Sequence, residues 1–173
     1  MINHYPLYHG SKKLFENFDA NFSYGSNRRF VIGAFWFTDN LKVAKSYGKY
    51  IYEAHLEITN PFIVDANFEN YSEIYLSDLP KEIGLQIDIL DNRMPGDTIN
   101  EINYRKRTDP DYCLRFDTRD LALAGMRAGY DSLIVKNVID AGNKSALKIF
   151  QTIYSVFNPN SISIKNVNIK NYA

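Results

Sequence analysis

Residues 9–11 of the chain are His-Gly-Ser, and they follow a short apolar segment. Further along, Trp36 and Phe37 stand side by side in an aromatic segment, and Tyr47 follows within one short helical pattern. Aromatic faces hold a flat cation by stacking and cation–π attraction, and a glycine lets a ligand come close to the backbone. Together these residue types could hold the nicotinamide ring of NAD.

Breaking the bond between nicotinamide and ribose passes through a state with positive charge on the sugar, so a protein must hold the leaving ring and fix the ribose. His9 could bond a ribose hydroxyl, while Gly10 and Ser11 could pair with the carboxamide. Trp36 and Tyr47 could supply the two faces for the ring. Each residue alone has a simpler interpretation, as a strand-end turn or a core aromatic. Only the joint pattern favours a nicotinamide site.

Composition limits the classes of protein to consider. The chain has 173 residues, of which 45% are hydrophobic, and 20 basic residues balance 20 acidic ones. This length predicts one domain, and the zero net charge does not indicate a nucleic acid or membrane partner. The single cysteine, Cys113, and the lack of clustered Cys and His predict no metal site. Without an export signal or a long apolar run, we expect a cytoplasmic protein.

The predicted elements are mostly strands, because β-branched and aromatic residues fall into short runs between turn formers. The run at 50–58 alternates apolar with polar residues, so one of its faces should be buried. The sequence predicts strands at 5–9, 31–38, 50–58, 62–64, 131–136, 153–157 and, last, within 161–173.

Two helices are predicted. Asp39 or Asn40 can cap one that runs to about Tyr50, which places Tyr47 two turns from the aromatic strand. The second covers 121–128, capped within 117–120 and stopped by a glycine. The mixed stretch at about 67–115 reads as an insertion on the surface of the single domain.

The motifs resemble those of a known superfamily. Leu-Tyr-His-Gly-Ser at 7–11 looks like the first motif of ADP-ribosyltransferases of the diphtheria-toxin and poly(ADP-ribose) polymerase type, whose histidine begins a His-Tyr-Glu triad. The segment at 33–47 is similar to their second motif, an aromatic strand followed by Thr-Asp-Asn and a helix bearing a tyrosine. Segments 58–65, 129–135 and 154–162 look like later strands of the phage and mobile-element branch, the polyvalent-protein ADP-ribosyltransferases.

This resemblance implies an α+β fold, a split β-sandwich with a central NAD cleft and a few flanking helices. It also implies NAD as the substrate and a target protein as the acceptor. The residues implied to contact NAD are His9, Gly10, Ser11, Trp36, Phe37 and Tyr47, and those implied in catalysis are His9, Tyr47 and Gln151. Arg28 and Arg29 could meet NAD phosphates or the target, although a solvated loop is the simpler interpretation.

Two positions depart from the family pattern. Trp36 stands where the triad has its first tyrosine, so the ring can stack but has no phenolic hydroxyl. Ile153 stands where the glutamate is expected, and Gln151 lies two residues earlier on the same strand face. Three explanations remain open: the substrate supplies a carboxylate, Gln151 positions the ribose, or the register is off by two. Because some mono-ADP-ribosylating members have an apolar residue here, its presence argues more against chain elongation than against transfer.

The leading hypothesis is a mono-ADP-ribosyltransferase that modifies a protein. A degenerate member that binds NAD or a partner without chemistry is the alternative, and an NAD glycohydrolase that transfers to water is a third. The resemblance to phage sequences suggests a counter-defence protein, a toxin or an effector acting in a bacterial cytoplasm.

Overall fold

The structure is a computed structural model that describes residues 6–19, 34–66, 80–83, 86, 118–139 and 149–169. In these ranges the main elements are seven strands, two helices and one short 3₁₀ turn. They are β1 (Leu7–Ser11), β2 (Phe35–Thr38), α1 (Leu41–Tyr47), β3 (Tyr50–Leu56), β4 (Pro61–Asp65), α2 (Thr118–Arg127), β5 (Ser132–Ile139), β6 (Phe150–Val156), the turn at Pro159–Ser161 and β7 (Ile162–Ile169).

The strands form one sheet in the order β4-β5-β6-β2-β1-β3-β7. Only β4 and β5 run parallel, and every other neighbouring pair is antiparallel. A mostly antiparallel sheet with a few helices packed against it is an α+β arrangement. The predicted α+β class is therefore confirmed.

Two hydrophobic clusters pack on the two faces of this sheet. Successive side chains of a strand point to opposite faces, so β2 contributes Trp36 to one cluster and Phe35 and Phe37 to the other. Core one joins α2 to the sheet and includes Phe62, Val64, Leu121, Ala124, Leu133, Val135 and Ile153. Core two includes Leu7, Phe35, Phe37, Ala54, Leu56 and Val156.

The predicted buried face at 50–58 is present in β3, where Tyr52, Ala54 and Leu56 are all buried. Ile51 is buried as well, although it points to the opposite face. It pairs with Gly10 of β1, on the face where α1 contacts both strands. Because α1 covers this part of the sheet, β3 carries an apolar residue on each face.

Helix α1 begins where the sequence predicts and ends earlier. Asn40 is its N-cap, and the Asn40 side chain accepts hydrogen bonds from the backbone N–H groups of Lys42 and Val43. The helix ends at Tyr47, three residues short of the predicted end, because Gly48 is fully extended with φ −178°. Tyr47 therefore occupies the last helical position.

The remaining boundaries differ by a few residues. Helix α2 starts at Thr118, inside the predicted capping segment, and Gly129 follows it with φ +87°, a conformation that favours glycine. Strand β5 continues to Ile139, three residues beyond the prediction, through a bulge at Asn137 with φ +52°. Positions 31–33 and 170–173 of the predicted strands, and nearly all of the predicted insertion at 67–115, lie outside the described residues.

Asp131 ties the connection between β3 and β4 to the start of β5. Its Oδ2 accepts hydrogen bonds from the backbone N–H of Thr59 at 2.7 Å, the Thr59 hydroxyl at 2.6 Å and the backbone N–H of Asn60 at 2.8 Å. Partial burial raises the pKa of Asp131, but these bonds and one from Ser132 outweigh that effect and hold the pKa below its usual value. Asp131 is thus a charged residue that anchors the β3–β4 connection, and it lies outside the predicted site.

Candidate active site

Strands β1 and β2 meet at one residue pair. The register between them consists of Tyr8 opposite Thr38, whereas β1 pairs with β3 over five residues and β2 pairs with β6 over four. Beyond that pair the ladder between β1 and β2 ends, immediately before His9 and Gly10. The sheet therefore has two well-paired halves, β1-β3-β7 and β2-β6-β5-β4, and His9 and Gly10 lie where they separate.

His9 reaches across this separation. Its Nδ1 lies 2.7 Å from the backbone carbonyl oxygen of Trp36, and because a carbonyl can only accept, Nδ1 must carry the hydrogen. Burial lowers the pKa of His9, and the bond to Trp36 offsets only part of that change. The imidazole is therefore neutral at pH 7, with its lone pair on Nε2. An acceptor of this kind suits a sugar hydroxyl.

Four aromatic rings surround His9. The ring centroids of Phe15, Phe18, Phe37 and Tyr52 lie 5.2 to 6.1 Å from the centroid of His9. We refer to these five residues as the aromatic cluster. Edge and tilted contacts of this kind fix the orientation of the imidazole. Burial at this position lowers the pKa of His9, and the four rings form part of its surroundings.

The hydroxyl of Tyr52 holds the segment after β1 against the sheet. It accepts a hydrogen bond from the backbone N–H of Phe15 at 2.6 Å and donates one to the Phe15 carbonyl at 3.0 Å. The two rings stack at 4.1 Å with an interplanar angle of 9°. Burial raises the pKa of Tyr52 more than its bond to Phe15 lowers it, so the hydroxyl stays protonated. Tyr52 thereby fixes the position of Phe15 in the aromatic cluster.

Gly10 lets α1 lie directly on β1. A Cβ built on Gly10 would be 1.9 Å from the carbonyl oxygen of Ala44 and 3.0 Å from Cβ of Tyr47. The missing side chain is thus required by the helix, and it brings Tyr47 next to Gly10. Tyr47 is 40% exposed, so part of this residue faces solvent. The structure therefore brings these two predicted residues together.

Trp36 and His9 are linked through the backbone of Trp36, while their rings point to different faces. The indole packs against core one, and the imidazole lies in the aromatic cluster with Phe37. The alternation of a strand requires this, because Trp36 and Phe37 are adjacent. The sequence leads us to expect the side chains of His9, Trp36 and Tyr47 around one nicotinamide ring. The imidazole of His9 and the indole of Trp36 instead point to opposite faces of the sheet. Gly10 and Trp36 belong to the face that α1 covers, and His9 and Phe37 to the other.

Ser11 is engaged in a local turn. Its hydroxyl donates to the carbonyl of Lys13 at 2.8 Å and accepts from the Lys13 backbone N–H at 3.1 Å. A bond from this hydroxyl to a carboxamide oxygen would have to replace the first of these. The role predicted for Ser11 therefore stays a prediction that requires a local change.

Thr38, Asp39 and Asn40 connect β2, β6 and α1. The Thr38 hydroxyl donates to Oε1 of Gln151 at 2.5 Å and accepts from the backbone N–H of Asn40 at 3.0 Å. Asp39 Oδ1 accepts from the backbone N–H of Thr152 at 3.1 Å. Since Asn40 also caps α1, this tripeptide fixes the helix relative to β6. The family resemblance supplied these residues as a motif, and their bonding explains why the motif is needed.

Gln151 is buried beside Thr38. The side chain is 5% exposed, and its Nε2 has no hydrogen-bond partner among the described residues. Ile153 lies two residues on, pairs with Thr38 across β2 and β6, and is buried in core one. Ser155, two residues further along the same face, is fully buried and its Oγ also lacks a partner in the described part of the chain. The place of the expected glutamate is thus apolar, with an unsatisfied polar group on either side.

Sequence reasoning missed the contributions of Thr38, Phe15 and Tyr52. Thr38 could have been found, because a threonine at the end of a strand, two residues before a helix cap, commonly bonds nearby backbone. Phe15 and Phe18 carried no periodic signal, so nothing in the sequence linked them to His9. Arg28 and Arg29 lie outside the described residues.

In the described residues, no group of three or more His, Cys, Asp or Glu is arranged to hold a metal ion. None of the helices there has both the length and the apolar character needed to cross a bilayer.

Comparison with known proteins gives one family. The family model described as ADP-ribosyltransferase in polyvalent proteins matches residues 4–171. No curated protein matches the sequence. A solved structure titled "Crystal structure of an anti-CRISPR protein" is similar over 97% of this chain and 95% of that chain, with 17% identity and a TM-score of 0.44.

Proposed function

Because the chain belongs to the family of ADP-ribosyltransferases in polyvalent proteins, we propose that it transfers a single ADP-ribose group from NAD to a protein acceptor. The observation that carries this proposal is the neutral imidazole of His9, held by the Trp36 carbonyl at the point where β1 leaves β2. A group fixed in this way can orient a ribose without any rearrangement of its own.

In this proposal His9 Nε2 accepts a hydrogen bond from a ribose hydroxyl of NAD. The backbone of Gly10 pairs with the carboxamide of nicotinamide, and the half-exposed ring of Tyr47 covers one face of the ring. The side chains of Trp36 and Phe37 pack in the two cores and so fix β2, whose Trp36 carbonyl oxygen bonds to His9. The nicotinamide leaves with the bonding electrons, and a nucleophilic side chain of the acceptor attacks the ribose carbon that it vacates.

Transfer to a protein accords with the position of Ile153. A side chain buried in core one cannot supply negative charge beside the ribose. The acceptor's own nucleophile, particularly a carboxylate, can supply it when bound. We therefore propose that efficient cleavage of NAD requires the acceptor, and that the protein alone hydrolyses NAD slowly.

The test uses NAD labelled in its adenylate part, with the protein in buffer and in a bacterial lysate. A discrete labelled protein that appears only in the lysate supports transfer. Free nicotinamide released equally in both, without labelled protein, would instead identify an NAD glycohydrolase.

Two histidine variants sharpen the experiment. His9→Asn can keep a donor near the Trp36 carbonyl but has no group at the place of Nε2, so we expect about a hundredfold loss of labelling. His55→Asn, on β3 of the same sheet and outside the proposed site, should label normally. Equal labelling by both variants would remove His9 from the mechanism.

The second candidate is a member that binds NAD or a protein partner without chemistry, and the buried Ile153 is the observation that favours it. Binding of NAD in a calorimeter, with no label transferred and no nicotinamide released, would establish that alternative. The counter-defence, toxin or effector roles expected from the resemblance, together with action in a host cytoplasm, stay predictions. Identification of the labelled lysate protein would separate them.

A further inference from the structure

Two segments that adjoin the proposed site carry only positive charge. Residues 6–15 and 40–52 together contain five lysines and no aspartate or glutamate, although basic and acidic residues balance over the whole chain. All five lysines are exposed. We refer to them as the lysine surface, which consists of Lys12, Lys13, Lys42, Lys45 and Lys49.

The fold brings these two segments into contact at two glycines. A Cβ built on Gly48 would lie 2.0 Å from the carbonyl carbon and oxygen of Ser11 and 2.6 Å from the backbone nitrogen of Lys12. Gly10 meets the helix at Ala44 in the same way. The segment that carries the first two lysines therefore touches the helical segment that carries the other three.

The lysine surface is not neutralised within the described residues. None of the five ammonium groups has an ion-pair partner there. Lys49 Nζ instead lies 4.7 Å from the ring centroid of Tyr50. The acidic residue just before α1, Asp39, accepts a hydrogen bond from the backbone of Thr152. The positive charge is thus left for solvent or for a partner.

The lysines of α1 are placed against the interest of the helix itself. Lys42 lies in the first turn, where the helix dipole favours acidic side chains, and α1 has no acidic residue in that turn. Lys42 and Lys45 are three positions apart on the helix, a spacing at which like charges repel. Helix stability does not account for this pattern, whereas an anionic partner would.

We propose that the lysine surface docks an acidic segment of the acceptor protein. This inference rests on the proposed function, because it names the chemistry by which the acceptor reaches the same site. Lys12 is two positions from Gly10, and Lys45 is two positions from Tyr47. A segment bound to these lysines lies next to the residues proposed to hold the nicotinamide.

Exposed apolar side chains favour a protein partner over a nucleic acid. Leu14 is 61% exposed next to Lys13, and Leu41 is 37% exposed next to Lys42. An acidic peptide can cover these leucines with apolar side chains of its own, whereas a phosphate backbone offers only charge. The chain also lacks the overall positive charge that is typical of nucleic-acid-binding domains.

The first experiment compares the transfer of label to lysate protein by two triple variants. The surface variant is Lys12→Gln, Lys45→Gln and Lys49→Gln. The control variant makes the same change at three exposed lysines elsewhere on the fold, Lys81→Gln, Lys136→Gln and Lys165→Gln. We expect labelling by the surface variant to fall about tenfold, roughly twofold for each lysine, and labelling by the control variant to match the wild type. Added salt should slow labelling by the wild type more than labelling by the surface variant.

Calorimetry then shows which ligand the lysines serve. Both variants should bind NAD with wild-type affinity, because the lysine surface is proposed to hold the acceptor. A loss of NAD affinity in the surface variant alone would assign these lysines to NAD and overturn the proposal. Equal labelling by the two variants would overturn it as well. So would label that nuclease removes and protease does not, since the partner would then be a nucleic acid.

Lys42→Glu tests the conflict between helix stability and docking. It places an acidic side chain in the first turn and an opposite charge three positions before Lys45, so the urea midpoint should rise. Labelling should nevertheless fall, and a fall in a more stable protein cannot come from unfolding. A more stable variant that labels normally would contradict docking at this surface.

A binding measurement separates failure of docking from failure of transfer. The probe is a fluorescein-labelled oligoglutamate peptide, followed by fluorescence anisotropy. The wild type and the control variant should bind it, and the surface variant should bind it much more weakly. This result without any transfer of label would disprove transfer and leave the docking surface intact. Normal transfer, with equal peptide binding by the surface and control variants, would leave transfer intact and disprove the docking surface.

Discussion

Replacing Gly10 with alanine tests the contact that brings α1 and Tyr47 to β1. The added Cβ would lie 1.9 Å from the carbonyl oxygen of Ala44 and 2.9 Å from its carbonyl carbon. Ordinary van der Waals contact begins near 3.4 Å, so the helix would have to move away from β1 by about 1.5 Å. Both obstructing atoms belong to the helix backbone, which cannot rotate aside as a flexible side chain could.

The expected cost follows from this displacement. Overpacking of a close-packed interior typically costs about 1–3 kcal/mol, and more where backbone must shift. Since the Gly10 contact involves backbone on both sides, we expect a loss of about 3 kcal/mol in the free energy of unfolding. NAD binding should fall as well, because Tyr47 moves away from Gly10 together with the helix.

Urea denaturation followed by circular dichroism measures the effect, and Gly125→Ala in α2 is the matched control. A Cβ on Gly125 would meet Phe62 at 3.5 Å and Phe157 at 3.7 Å, which is ordinary contact. Alanine is also the better helix former, so this change should stabilise the protein by about 0.5–1 kcal/mol. The two Gly→Ala variants should therefore differ in sign.

A Gly10→Ala protein as stable as the wild type would show that α1 does not lie on β1 as described. Destabilisation of Gly125→Ala by as much as Gly10→Ala would show that the contact distances do not predict the cost. Loss of stability without loss of NAD affinity would separate the packing role of Gly10 from the proposed nicotinamide site.

Three further predictions concern charge and hydrogen bonding. Lowering the pH below about 6.5 should destabilise the wild type, because His9 takes up a proton more readily in the unfolded chain than in the folded protein. The free energy of unfolding should fall by at most about 1.4 kcal/mol per pH unit. Urea denaturation of His9→Asn between pH 8 and 5.5 should show a weaker dependence of this free energy on pH. Asp131→Ala should cost about 2 kcal/mol at pH 7 by removing the acceptor for Thr59. Since the Asp131 pKa is lowered, its contribution is lost as the pH falls from about 4 through that lowered pKa, so the difference in unfolding free energy between the variant and the wild type should shrink on acidification. Tyr52→Phe leaves the Phe15 N–H without its partner, so the free energy of unfolding in urea should fall by about 1–3 kcal/mol and the near-ultraviolet dichroism spectrum should change. A fall of less than about 0.5 kcal/mol would contradict the two hydrogen bonds described for this hydroxyl.

Much of the fold could be predicted because local patterns decide it. Strand β3 alternates so clearly that its buried face was predicted correctly, and Asn40 caps α1 as its residue type suggests. The boundaries were less predictable. Gly48 ends α1 by adopting an extended conformation, and the bulge at Asn137 lengthens β5 by a tertiary contact to Asp65 that no local pattern contains.

The sequence selected candidate residues for the site, and their binding of NAD stays a prediction. His9, Gly10 and Tyr47 were selected by the joint motif, and contacts of His9 and Gly10 do occur where β1 and β2 separate. The opposite directions of Trp36 and Phe37 follow from strand alternation and could have been predicted. The bond between Thr38 and Gln151 spans more than a hundred positions, so only the folded chain could place those two side chains together.

The single pair between Tyr8 and Thr38 has a consequence for how the protein can be divided. One half of the sheet uses residues 7–11, 50–56 and 162–169, and the other half uses segments that alternate with these along the chain. Neither half is a continuous fragment. Truncation from either end therefore removes a strand of the β1-β3-β7 half first, and no truncation yields one half alone. Pairings this distant in sequence also form slowly during folding. A nascent chain would thus gain its complete sheet only after β7 has been synthesised.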